Sequence, residues 1–204
     1  MANIGTVIDV SSFTTDYRME KNMFPGKLLS SLKMLKEQGI YLCGGSALAL
    51  YLGQNLDSIN DYDFYVKEQN TQNWFERWLE SELKMYAHFK SNNATTYRPT
   101  MGTTKGKLQI IIKNFFNSYD DIFSTFDFGV CKVGYDGEGF YFGPNTKQQI
   151  LEKRLVLEGK PSPDFVKRWF KYGLKGYKMP HSEAAEILKS LPEVEFDARN
   201  EMGY

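Results

Sequence analysis

Apolar positions return along this chain with two different periods, and the switches between those periods outline its elements. From Pro25, the residues Leu28, Leu32 and Leu35 recur at helical spacing as far as Gly39, a residue that readily takes the left-handed conformation ending a helix. Ile40-Tyr41-Leu42-Cys43 is an unbroken apolar run, which predicts a short buried strand. Gly44-Gly45-Ser46 interrupts it, and Ala47 to Leu52 predicts a helix stopped by Gly53. The order is strand, glycine turn, helix.

After a polar stretch over 54–60, Asp61-Tyr62-Asp63-Phe64-Tyr65-Val66 alternates strictly. Tyr62, Phe64 and Val66 therefore share one face of a strand, and Asp61 and Asp63 share the other. Trp74, Phe75, Trp78, Leu79 and Leu83 predict an amphipathic helix, with Asn70-Thr71 at its start. Residues 90–106 read as a polar loop and 107–113 as a strand, while Ser118 with Asp121 three residues on has the form of a capping box. A strand is expected over 126–135, and Asp136-Gly137 is the pair that a two-residue hairpin turn prefers, returning Phe140-Tyr141-Phe142 against it. In the last third, Asn145-Thr146 is placed to cap a helix running through Glu158, and Ser162-Pro163 to open another. The expected organisation is an arm or edge strand over 1–22, an α/β domain over 23–144 and a helical subdomain over 145–204. The fold class is α/β (α+β): a mixed, twisted sheet with flanking helices and a C-terminal helical subdomain as the other wall of a cleft.

With 204 residues, 42% of them apolar, the chain is long enough for a real core. Its 25 Lys and Arg balance its 25 Asp and Glu, so affinity for nucleic acid has to come from a local patch. No basic leader runs into an apolar stretch and no window approaches a membrane span, which predicts a soluble cytoplasmic protein, in the host cytoplasm if viral, without a membrane partner. Cys43 and Cys131 lie in apolar runs and are expected as reduced core thiols, and His88 and His181 lack the neighbours of a closed zinc site.

Chemistry then has to rest on carboxylates, hydroxyls and backbone. Asp61 and Asp63, about 7 Å apart along a strand and pointing the same way, repel each other unless a cation neutralises them, and a hard cation such as Mg²⁺ suits their oxygens. Upstream, Gly44-Gly45-Ser46 stands where a strand passes into a helix, so that exposed N–H groups and a hydroxyl form a cradle for phosphate. The two halves complement one another in a nucleoside-triphosphate site. Rival motifs are missing: Leu48 stands where a hydrolase elbow needs its second glycine, and the sequence has neither a Gly-x-x-x-x-Gly-Lys loop nor a Gly-x-Gly-x-x-Gly fingerprint.

Leu42-Cys43-Gly44-Gly45-Ser46 followed by Asp61-Tyr62-Asp63-Phe64 resembles the glycine-serine and Asp-x-Asp signature of the nucleotidyltransferase superfamily, the fold of the DNA polymerase beta palm. The closest flavour is that of small nucleotidyltransferase-like proteins of phages and large DNA viruses, in which segments like Phe126 to Lys132 and Lys171 to Tyr177 follow. The resemblance implies Mg²⁺ (or Mn²⁺) held by Asp61 and Asp63, and a nucleoside triphosphate resting on Gly44, Gly45 and Ser46. It also implies a third carboxylate, for which Asp127 is the candidate metal ligand and catalytic residue. The strand 108–112 carries Gln109 where many members place that acid.

Residues 151–178 hold eight basic against three acidic side chains, and on the helix from Pro163 the residues Arg168, Lys171 and Lys175 are expected on one face with Val166, Trp169, Phe170 and Gly173 on the other. The three cations are candidate nucleotide-binding groups, Lys171 or Lys175 facing the leaving pyrophosphate. The tail from Ser182 is acidic and complementary in sign to that basic face. The expected activity is transfer of a nucleoside monophosphate from a nucleoside triphosphate to a hydroxyl on RNA, protein or a small molecule. The alternative is a catalytically inactive protein of the same fold that acts by binding or inhibition.

Overall fold

The computed structural model describes residues 3–5, 24–100, 106–159 and 164–190. Its centre is a sheet of eight strands: β1 (Asn3–Gly5), β2 (Ile40–Cys43), β3 (Asp61–Val66), β4 (Met85–Lys90), β5 (Ala94–Pro99), β6 (Lys107–Ile111), β7 (Val133–Tyr135) and β8 (Phe140–Phe142). They lie in the order β1-β8-β7-β2-β3-β6-β5-β4. Every neighbouring pair is antiparallel except β3 and β6, so the sheet is mixed, as expected. A parallel pair needs a long crossover. Helix α4 (Gln69–Glu82) and the β4–β5 hairpin supply it between β3 and β6. The remaining helices are α1 (Gly26–Ser30), α2 (Leu32–Glu37), α3 (Gly45–Tyr51), α5 (Tyr119–Phe123), α6 (Thr146–Leu151), α7 (Phe165–Leu174) and α8 (His181–Ser190).

Register decides which side chains share a face. Leu42 pairs with Phe64 and Ile40 with Val66, and all four enter the main core with Leu28, Leu35, Phe75, Leu79 and Phe142. The same core takes in Ile150, Leu155, Phe165 and Tyr172 from the C-terminal third. On the opposite face, Tyr41 pairs with Tyr65 and Cys43 with Asp63. Tyr41 and Cys43 there join a smaller cluster with Phe116, Tyr119, Ile122 and Phe123. Asp63 thus borders a small aromatic core, while the Asp61 side chain remains 37% exposed.

Several expected elements are redrawn. The polar stretch over 90–106 contains β5 and, with β4, a hairpin at the sheet edge, where solvent on both sides of β4 removes the alternation that would betray a strand. The strand expected over 126–135 shrinks to Val133–Tyr135, because 129–131 turn as a single 3-10 turn and only Phe128 makes an isolated bridge, to Leu157. Tyr135 pairs with Phe140, so the hairpin loop has four residues and not two. Asp136 closes it by accepting from the N–H groups of Glu138 and Gly139. The helix expected to reach Glu158 ends at Leu151, with Lys153 at positive φ, and its Asn145 makes no side-chain cap. Ser118, by contrast, does accept from the Asp121 N–H at 3.1 Å. Ser162, Pro163 and the acidic stretch after 190 lie outside the described residues. Among the described residues, no helix is long and apolar enough to cross a membrane.

Candidate functional site

The glycine turn and the acid pair meet because β2 and β3 are neighbours in register. Cys43, the last residue of β2, lies opposite Asp63. Gly44 follows with φ +83° and ψ −139°, a conformation open in practice only to glycine. Its N–H still bonds the Val133 carbonyl at 2.8 Å, extending the sheet, while its carbonyl already accepts from Leu48 N at 2.9 Å, opening α3. One residue therefore turns strand into helix and delivers Gly45 and Ser46 beside Asp63.

The two glycines answer to different demands. A Cβ at Gly44 would touch only the Phe126 ring at 3.8 Å, so the dihedral alone requires glycine there. Gly45 has no positive φ, and a Cβ on it would meet nothing within 4 Å. The fold does not need glycine at 45. Gly44→Ala should destabilise the protein by about 1–3 kcal/mol, whereas Gly45→Ala, at a helix start, should leave stability unchanged or raise it by about 0.5–1 kcal/mol. Chemical denaturation of the two variants checks this contrast.

On β3 the burial alternates, with Tyr62, Phe64 and Val66 inside and Asp61, Asp63 and Tyr65 on the other face. The parallel register of β6 sets Lys107 beside Asp61 and Gln109 beside Asp63. Lys107 Nζ lies 3.4 Å from Asp61 Oδ1. That oxygen is buried without a hydrogen-bond partner, and so is Ser46 Oγ. Burial, and after it the negative charge of Asp61, pushes the Asp63 carboxyl up to about 6, against the pull of Lys171, Lys107 and Arg168. Burial, then Asp63, also raises the Cys43 thiol well above its ordinary range, which removes it as a nucleophile. A repelling acid pair with one oxygen buried without a hydrogen bond, a buried hydroxyl at Ser46 in the same state and cationic side chains that act on the pair match in chemistry the needs of a divalent cation carrying phosphate.

Asp127 is held by an ion pair and a backbone donor. Its Oδ1 accepts from Arg168 Nη1 at 2.9 Å and from the Phe128 N–H at 3.0 Å. Among the described residues, no three His, Cys, Asp or Glu side chains gather as a metal-binding group. Gln109, next to Asp63, donates to Thr96 Oγ1 at 3.1 Å. The charge of Lys171 favours the ionised form of Asp63. Lys175 lines a small cavity against α3 with Leu48, Ala49 and Tyr177, and lies 5.5 Å from the centre of the Tyr172 ring.

The faces of α7 also differ from the expected division. Phe165, Trp169 and Tyr172 turn toward the core, while Val166, Phe170 and Leu174 form an exposed ridge with Lys167, Lys171 and Lys175. Phe170 is 71% and Leu174 81% exposed, because positions 166, 170 and 174 repeat every fourth residue on the side away from the sheet. Lys107 is the cation that sequence reasoning missed. Its place beside Asp61 follows from a crossover of some forty residues, for which the local pattern holds no signal.

Comparison with known proteins gives the family and the fold. The profile of the Gabija anti-defense 2 family matches residues 9–153. Gabija anti-defense 2 of Bacillus phage SPbetaL7 is 31% identical over 193 residues, which cover 91% of this chain and 46% of that protein. The chain thus spans less than half the length of this relative. Among solved structures, a CCA-adding enzyme in complex with ATP superposes with a TM-score of 0.63 at 13% identity, over 91% of this chain and 46% of the enzyme. The Thermotoga maritima CCA-adding enzyme complexed with tRNA gives 0.60 at 14%, over 91% and 45%. At such identity the likeness establishes the fold, that of the nucleotidyltransferases.

Proposed function

The chain belongs to the Gabija anti-defense 2 family, and from that premise we propose that it is a metal-dependent nucleotidyltransferase that acts on a hydroxyl of the defence machinery its family name opposes. What carries the reading is one juxtaposition: the Cys43–Asp63 register, which sets the strand end leading into the Gly45–Ser46 helix start beside the acid-bearing strand, with Ser46 Oγ and Asp61 Oδ1 both buried without a hydrogen bond. The CCA-adding enzymes with the same fold are described in complex with ATP, CTP and tRNA. A nucleoside triphosphate as donor, and an RNA or protein hydroxyl as acceptor, are consistent with those descriptions.

In this reading Asp61 and Asp63 would hold Mg²⁺ or Mn²⁺, which when bound supplies the positive charge that relieves the pair and draws phosphate oxygens to it. The rest falls to the chain itself. Gly45 lets the triphosphate approach the N–H groups opening α3, Ser46 Oγ hydrogen-bonds it, and Lys107, Lys171 and Arg168 balance its charge. The acceptor hydroxyl gives up its proton to solvent as its oxygen bonds to the α-phosphorus, the bond from that phosphorus to the bridging oxygen breaks, and pyrophosphate leaves. Such a transfer asks the protein for position and field more than covalent help.

The second reading, an inactive member acting by binding or inhibition, draws on Gln109 beside Asp63, where a carboxylate would otherwise be expected. Incubating the protein with α-labelled nucleoside triphosphates, Mg²⁺ or Mn²⁺ and a host-cell extract separates the two. Label should appear in a macromolecule and vanish with Asp61→Asn plus Asp63→Asn. Gly45→Ala, harmless to the fold, should weaken triphosphate binding about tenfold or more. Metal-dependent nucleotide binding without transfer would favour the inactive member, and the absence of both would end each reading.

A further inference from the structure

The Asp127–Arg168 pair is unequal. Asp127 has a side chain 6% exposed, and Arg168 one 44% exposed. The acid is fixed on every side: its backbone carbonyl accepts from Glu158 N at 2.7 Å, its carboxylate accepts from Phe128 N, and Gly129 N bonds the Val156 carbonyl next door. Arg168, on a helix whose inner face is set by Phe165 and Tyr172, reaches this fixed point with a single nitrogen. A guanidinium carries five N–H groups in a rigid fork. A one-point tether from Asp127 therefore orients the fork while most of its donors remain available to an anion.

Resting on the triphosphate reading above, we propose that Asp127 is a positioning residue: it does not ligate metal but anchors Arg168 so that the guanidinium binds the polyphosphate over the Asp61–Asp63 pair. Phe126, the residue before Asp127, has its ring centre 5.8 Å from that of Tyr65, which shares the Asp61–Asp63 face of β3, and its ring is what a Cβ on Gly44 would touch at 3.8 Å, so the segment carrying Asp127 lies beside the acid-bearing face and the glycine turn. The arrangement gives the site a phosphate-binding group from α7 in addition to the Gly44–Ser46 turn. Arg168 without its anchor keeps its charge but loses its direction.

The test uses inorganic tripolyphosphate and Mn²⁺ as probes, so that it does not depend on finding the acceptor. Asp127→Asn and Arg168→Ala should each weaken tripolyphosphate binding about tenfold, the scale of one charged hydrogen bond. The double variant should be no weaker than either single one, since both remove the same arm. Mn²⁺ affinity, followed by electron paramagnetic resonance, should stay within about twofold in Asp127→Asn and fall at least tenfold in Asp61→Asn. Should Asp127→Asn not fold, Arg168→Lys carries the test: it keeps the charge beside Asp127, loses the fork, and should bind tripolyphosphate as poorly as Arg168→Ala. Loss of Mn²⁺ binding in Asp127→Asn would make Asp127 a ligand and overturn the proposal, as would losses that multiply in the double variant, or tripolyphosphate binding indifferent to Arg168. A wild-type protein that binds tripolyphosphate through Arg168 yet transfers no label keeps this proposal and ends the transfer reading. One that transfers label but ignores these variants does the reverse.

Discussion

Replacing Asp63 by Asn should abolish nucleotidyl transfer, by at least about a thousandfold, and at the same time make the metal-free protein more stable at neutral pH. The two effects have one origin. Burial and the neighbouring charge of Asp61 push the Asp63 carboxyl from an ordinary 3.8 up to about 6. The folded protein then holds the Asp63 proton more tightly than the unfolded chain does, so stability falls as pH rises from about 4 to about 6. Above that window the ionised carboxylate costs up to about 3 kcal/mol, at 1.36 kcal/mol per unit. Asparagine has a similar shape and no charge, so the variant should exceed the wild type by about 1–3 kcal/mol at pH 7.5 and match it below pH 4. Denaturant titrations at the two pH values, in chelator, measure this directly. Adding Mn²⁺ should then raise the wild type and leave the variant where it was, because only a site that binds the ion gains from it. A variant that is no more stable, or a wild type indifferent to Mn²⁺, would mean that the strain at this pair is not kept for a cation.

That strain explains why the site was legible early. Asp61 and Asp63 announce themselves by alternation, since the same pattern that buries Tyr62, Phe64 and Val66 has to turn both acids one way. Gly44 is likewise visible, because a strand cannot become a helix in one step without an unusual dihedral. What stayed hidden depends on contacts between distant segments. Lys107 gains its meaning from a parallel register with Asp61 across a helix and a hairpin. Asp127 precedes a 3-10 turn where alternation predicts a continuing strand, and its partner Arg168 lies 41 residues further on, beyond the reach of any local pattern. Strand β5 lies inside the polar stretch over 90–106, and its partner β4 carries no alternation, because Tyr86, His88 and Phe89 are exposed on both faces. On α7 the helical period was correct but its phase was not: Phe165 and Tyr172 are buried, and the strongly apolar Phe170 is left outside.

Glu158→Ala should destabilise the protein by about 1–3 kcal/mol, the usual cost of leaving a mostly buried polar group, here the Lys132 ammonium, without its partner. Lys132 Nζ sits 2.7 Å from Glu158 Oε2, with side chains only 11% and 20% exposed. Gln149 Nε2 donates to the same carboxylate, and a Cβ on Gly129 would collide with both. Around them, Thr146 Oγ1 donates to the Gly129 carbonyl and Gly143 N to that of Lys132. The segment 127–132 is thus held in place from α6 and from the chain around Glu158, and Asp127 is its first residue. Losing the carboxylate strands the Lys132 ammonium and loosens the loop that anchors Arg168, so stability and tripolyphosphate affinity should fall together. The paired replacement Lys132→Met with Glu158→Leu removes both charges, and such exchanges are often neutral or stabilising. It should restore most of the stability lost in Glu158→Ala, as read from denaturant midpoints. If it also restores tripolyphosphate binding, packing alone suffices to hold the loop. If stability returns and binding does not, the hydrogen bond from Gln149 to Glu158 is what sets the direction of Asp127.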